Sequence, residues 1–161
     1  MKRAIFFSFT TKWQWLLLLI MLPCISISQN PIPAENALTG NPSSEWDITG
    51  AGDLSLQGFA TDISVNKGQT VSFKITITGA NKNYSIKIYR LGYYLGNGAR
   101  LITTLGPFLG VTQPAPVTNT ASGLIDCGNW AASASWAVPA TAVSGVYIAR
   151  LIRADNGGAS H

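Results

Sequence analysis

Arg90 and Arg100 bracket the glycine-rich stretch Gly92-Tyr93-Tyr94-Leu95-Gly96-Asn97-Gly98, and with Tyr93 and Tyr94 inside it they are the side chains best placed by type and spacing to recognise something. Aromatic faces stack on sugars and other rings, and guanidinium groups bind carboxylates, so one reading is a ligand surface. A second has the tyrosines covering the end of a core while the arginines bond to loop carbonyls. A third is docking against a neighbouring domain. Trp130, after Gly128-Asn129, divides similarly between a core plug and an exposed platform, whereas Trp136 lies in a patterned strand and belongs to the core.

Other chemistry is poorly supplied. Nucleophilic catalysis needs a nucleophile, a base and an orienting group, and the single histidine is the last residue, His161. Glycosidase-type hydrolysis needs two facing carboxylates. Asp47, Asp53, Asp62, Asp126 and Asp155 all sit in turn-like surroundings, where side-chain bonds to the local backbone explain them more simply. One thiol and one histidine outside the leader make no structural zinc site, so no metal or other cofactor is expected. Cys127 is then alone and reads as a buried, inert thiol, or as a partner for a cysteine on another chain or further along the same one.

The elements that position these residues begin with a leader. Lys2, Arg3 and Lys12 precede an apolar stretch from Trp13 to Leu22, Pro23 breaks it, and Ser26-Ile27-Ser28 offers small residues for signal peptidase. A signal peptide over 1–28 is expected, with a lipid anchor at Cys24 as the alternative. The apolar run is short of the roughly 20 residues of a spanning helix, so no membrane association is expected after cleavage. Three of the 11 Lys+Arg leave with the leader, and eight then stand against seven Asp+Glu, a net charge of +1. Nothing in that balance resembles the basic footprint of a nucleic-acid partner.

Residues 29–53, rich in Pro, Asn, Ser and Gly, read as a tether. From 54 to 161 short strands alternate with turns. Val71, Phe73, Ile75 and Ile77 alternate with polar residues, as do Tyr84, Ile86 and Ile88, which is the period of half-buried strands. Further strands are expected over 54–63, 100–105, 133–138 and 145–154, with a long loop over 106–123. This pattern predicts an all-β, antiparallel sandwich. Val138 to Tyr147 resembles the corner of an immunoglobulin-like sandwich, where a tyrosine, here Tyr147, bonds back to the preceding loop. The turn Asp155-Asn156-Gly157-Gly158 calls for a returning strand, so the sandwich is expected to be C-terminally truncated and to lack its last strand.

The segments Ile63 to Val71, Tyr89-Arg90-Leu91-Gly92-Tyr93-Tyr94, Gly123 to Trp130 and Ser144-Gly145-Val146-Tyr147 together resemble the N-terminal β-sandwich region of secreted bacterial proteins related to the N,N-dimethylformamidase beta (large) subunit. The resemblance implies a modular sandwich ahead of a separate catalytic region, which uses an iron held by tyrosine and glutamate. No motif of that region matches here. Tyr93 and Tyr94 are tempting ligands, but the two glutamates, Glu35 and Glu45, both lie in the expected tether.

Two functions follow as expectations. One is a non-catalytic module of a secreted or cell-surface, multidomain bacterial protein, acting as a spacer, adhesion or polymer-binding unit. Its partners would be neighbouring domains of a longer chain, or a carbohydrate or cell-surface polymer. The other is an accessory N-terminal domain of an exported amidohydrolase resembling N,N-dimethylformamidase, with the catalytic region absent from this chain.

Overall fold

The computed structural model describes residues 30–79 and 82–161. The signal peptide expected over 1–28 therefore lies outside the described residues. Among the described residues two short helices, α1 (Pro31–Asn36) and α2 (Ser43–Trp46), precede nine strands. These are β1 (Leu56–Ala60), β2 (Thr70–Ile77), β3 (Asn83–Leu91), β4 (Ala99–Leu109), β5 (Val117–Asn119), β6 (Leu124–Asp126), β7 (Ala134–Ala137), β8 (Tyr147–Arg153) and β9 (Ala159–Ser160). A single 3-10 turn, Tyr94–Gly96, joins β3 to β4.

The strands form a three-stranded sheet in the order β1-β2-β7, a four-stranded sheet in the order β4-β3-β8-β9, and a separate β5-β6 hairpin. Every pairing is antiparallel, so the described fold is all-β with little helix. The alternation in sequence is what places the core. Val71, Phe73, Ile75 and Ile77 of β2 and Tyr84, Ile86 and Ile88 of β3 turn toward one another and meet Leu56, Trp136, Val138 and Leu151. Each such side chain contributes roughly 1.5–3 kcal/mol when fully removed from water.

Alternation stops at the end of β3, where Tyr89 and Arg90 are both buried. Residues 41–48 explain half of this by lying across the outer side of the four-stranded sheet. Tyr89 Oη donates to the Glu45 carbonyl at 2.9 Å, and Arg150 also donates to it. Asn41 forms a β-bridge with Ala99, and its side chain accepts from Leu101 N at 2.8 Å. Trp46 donates to the carbonyls of Asn41 and Asn97 at 3.1 and 3.2 Å and covers Gly98, where an added Cβ would come within 2.9 Å of the indole. The stretch expected to be a tether is thus bonded to the sheet.

Two other boundaries differ from expectation. β4 runs to Leu109, well into the expected loop, because β3 supplies partners as far as Asn83. The hairpin β5-β6 gives structure to a Thr/Asn-rich stretch that carries no alternation of its own, and all six of its residues are exposed. The chain does reverse at 155–158: Arg153 N donates to Gly158 O at 2.8 Å, and β9 pairs with Leu151 and Ile152.

Candidate functional site

Arg90 sits at the end of β3 with 2 % of its surface exposed. A buried guanidinium needs partners for its donors, and the surrounding loops supply them. Nη1 donates to Asn36 Oδ1 and to Tyr94 Oη, both at 2.8 Å, and Nη2 donates to the Ser144 carbonyl at 2.7 Å. Nε reaches the Val143 carbonyl at 3.4 Å. Two glycines make room: a Cβ on Gly145 would fall 2.7 Å from Arg90 Nε, and one on Gly92 would fall 2.5 Å from Asn36 Oδ1.

Tyr94 is the second centre. It is fully buried, although its φ of 43° lies in the left-handed region, as does the 56° of Leu95. Non-glycine residues adopt that conformation only where the surroundings hold them. Here the hydroxyl accepts from Arg90 and donates to Glu35 Oε1 at 2.9 Å. The guanidinium carbons of Arg90 and Arg100 both lie 5.9 Å from the ring centroid, within cation–π range.

Arg100 completes the cluster by donating to Glu35 Oε1 from Nε at 2.9 Å and from Nη2 at 2.5 Å. Burial pushes the Glu35 carboxyl up, but the hydrogen bonds from Arg100 and Tyr94 and the nearby Arg90 charge outweigh it and hold the group below its ordinary value. Burial raises the Tyr94 phenol despite the opposing bond from Arg90. The network therefore joins two cations, the Oε1 of one carboxylate, one neutral phenol and four backbone or amide oxygens, the Leu91 carbonyl among them.

The sequence-selected residues separate in three dimensions. Arg90, Tyr94 and Arg100 converge, while Tyr93, next to Tyr94, turns outward and is 67 % exposed. Tyr147 joins the same corner from β8, its hydroxyl donating to the Val143 carbonyl at 2.6 Å. Its ring lies 5.5 Å from that of Trp136, which is buried in the core. Trp130 lies elsewhere, half-buried, donating to the Pro114 carbonyl at 2.9 Å with its ring 5.9 Å from Phe59. Cys127 is a free, half-buried thiol, more open than the buried thiol expected.

Glu35 and Asn36 were not among the candidates, since both stood in the expected tether. One local signal pointed to them: Asn30 followed by Pro31 is a helix start, and Asn30 Oδ1 does accept from Ile32 N at 3.0 Å. The resulting turn of α1 delivers Glu35 and Asn36 side by side. A glutamate thus does meet a tyrosine, but guanidinium protons already occupy Tyr94 Oη and Glu35 Oε1. The aspartates bond within two residues along the chain, Asp53 accepting from Ser55, Asp126 from Gly128 N and Asp155 from Arg153, and Asp155 also pairs with the distant Lys82. Among the described residues no three His, Cys, Asp or Glu side chains converge as metal ligands would.

Fold and site together define an all-β antiparallel domain with a buried arginine–tyrosine–glutamate corner. Residues 85–161, which carry most of β3, Arg90, Tyr94 and Arg100 of the corner, and β8, match the family model of the N,N-dimethylformamidase beta subunit-like, C-terminal region, and this part of the chain is related to that subunit. The match is to a region described as C-terminal, whereas the sequence resemblance had suggested an N-terminal one. No curated protein and no solved structure matches the chain.

Proposed function

We propose that the chain is a non-catalytic module with an immunoglobulin-like sandwich fold, part of an exported protein, and that it acts as a spacer and docking unit. The observation that carries this is the inward bonding of Arg90, Tyr94, Arg100 and Glu35. The groups best suited to bind or polarise a substrate hold one another, the end of α1 at 35–36 and the loop at 143–144 in place. The same bonding weighs against the adhesion and polymer-binding forms of the module, because the stacking surface they would use is buried at Tyr94. The bond from Tyr147 to the loop before β8 supports the immunoglobulin-like corner. The basic and apolar pattern of 1–28 supports export.

The second reading, an accessory domain of an amidase-like enzyme, draws on the family relation. One assay tests the claim common to both readings. The purified chain, supplied with iron, is incubated with N,N-dimethylformamide and dimethylamine is measured. No release above the protein-free control is expected, and turnover abolished by Tyr94→Phe would overturn the non-catalytic reading.

A further inference from the structure

Asparagine followed by glycine occurs twice in the chain, at Asn97-Gly98 and at Asn156-Gly157. Asparagine is a thermolabile residue, and a following glycine makes it more so. The glycine nitrogen can attack the asparagine side-chain carbon with no side chain of its own in the way. Nothing in the sequence separates the two pairs, but their surroundings do.

At Asn97 the side chain is drawn backward. Its Nδ2 donates to the Tyr94 carbonyl at 3.2 Å, which turns the amide toward the preceding residues rather than toward Gly98. The Asn97 carbonyl accepts from Trp46 Nε1 at 3.2 Å, and the indole lies against Gly98. Gly98 O accepts from Gly92 N at 3.0 Å. The peptide that would have to swing for ring closure is bonded on both sides and covered by a tryptophan.

At Asn156 the side chain curls forward instead. Oδ1 accepts from Gly158 N at 2.9 Å, which is an Asx turn. The loop of atoms closed by that bond includes Gly157 N, so the side-chain carbon is held near it, and the donated N–H polarises the amide carbonyl toward attack. Asn156 and Gly157 are both exposed, and an added Cβ on Gly157 would meet nothing within 4 Å. Gly157 has a φ of 72°, in the left-handed region that favours glycine, so the turn itself calls for the labile neighbour. One bond opposes the reaction, from Gly157 N to the Arg153 carbonyl at 3.2 Å.

We propose that Asn156 is a site of spontaneous, one-way modification by deamidation. Hydroxide takes the Gly157 N–H proton as the nitrogen attacks Asn156 Cγ. The Cγ–Nδ2 bond breaks, ammonia leaves, and a cyclic imide is formed. Water then adds to either imide carbonyl and opens the ring, giving aspartate or isoaspartate with no change of oxidation state. Either product sets a third carboxylate beside two others. Asn156 Oδ1 and Asp53 Oδ2 both border Gly158, and Asp155 is already paired with Arg153 and Lys82. Isoaspartate also routes the main chain through the side-chain carbons. The turn is then longer, and the bond from Arg153 N to Gly158 O that leads into β9 loses its register. Modification of this one amide therefore loosens β9 from β8.

The test holds the whole purified chain at mildly alkaline pH, folded or in urea, and samples it over days. Trypsin separates the two sites, because Leu91 to Arg100 carries Asn97 and Ala154 to His161 carries Asn156. Mass spectrometry reads the amide-to-acid shift in each peptide, and an isoaspartyl-specific methyltransferase labels the rearranged product. In the folded chain Asn156 should convert faster than Asn97 by roughly tenfold or more, since Asn97 must wait for local opening. In urea the two rates should converge. Equal rates in the folded chain would overturn the proposal, as would a folded Asn156 that converts far more slowly than the same residue in urea. Amide exchange at Arg153, followed by NMR, should quicken in the isoaspartyl form, and unchanged exchange there would overturn the loosening of β9.

Discussion

The corner around Arg90 and the cleft beside β8 share Tyr147 and the loop at 143–145, yet they treat polar groups in opposite ways. At the corner, charged and hydroxyl groups are drawn inside and given partners on α1, the 3-10 turn and the loop before β8. In the cleft, about 920 Å³ between β1 and β8, apolar side chains such as Phe73, Ile88 and Trp136 line the floor, while Asp62, Asn66 and Lys67 stand on a loop that walls it. The corner's network fixes geometry, because losing one partner leaves a buried group unsatisfied. Chemistry-bearing residue types therefore mark the hydrogen-bonded corner of this molecule, and plain apolar residues line its cleft.

Substitutions at the corner test that contrast most severely. Arg90→Ala should lower stability by about 3–5 kcal/mol in urea unfolding, since it leaves the Asn36 amide oxygen, the Tyr94 hydroxyl and the Ser144 carbonyl without their donor, at about 1–3 kcal/mol each. A change below 1 kcal/mol would mean the network is not what holds the corner. Gly145→Ala should cost about 1–3 kcal/mol by forcing a methyl group against Arg90, and the cost should shrink in an Arg90→Ala background. Tyr147→Phe should cost about 1 kcal/mol through its bond to Val143; an unchanged midpoint would remove the tyrosine corner as a stabilising element.

The acid limb sharpens the comparison further. Glu35 is held below its ordinary value of 4.5 in the folded state. Its contribution is fully present above that value and is lost as pH falls through the depressed one. Urea midpoints should therefore drop below about pH 4.5, and Glu35→Gln should flatten that drop relative to the parent chain. An equal slope in both would separate Glu35 from the acid response. The smallest effect is expected at Tyr93→Ala, within about 0.5 kcal/mol, because that ring stands in solvent beside its buried neighbour. A large loss there would show that the outward ring is held by contacts of its own.

The strands that carry the core were legible because alternation is a local property. Val71 to Ile77 and Tyr84 to Ile88 announce both their conformation and their buried face in a few residues. The reach of β4 to Leu109 and the β5-β6 hairpin were not legible, since their pairing comes from partners rather than from their own pattern. At the corner, the importance of Arg90 and the neighbouring tyrosines could be read, but not which of Tyr93 and Tyr94 turns inward. A left-handed turn at Tyr94 and Leu95 decides that, and no residue type there demands it.

The sequence by itself determined the all-β character, the inward set of side chains on the central strands and the relation to the N,N-dimethylformamidase beta subunit that residues 85–161 display. These depend on residues near one another along the chain. Only the tertiary structure decided that Glu35 and Asn36 meet Arg90, that residues 41–48 cover the outer face of the sheet, and that a cleft opens between β1 and β8. Each joins segments far apart in sequence, and hydrogen bonds and close packing act over a few ångströms of space, whatever the length of chain between.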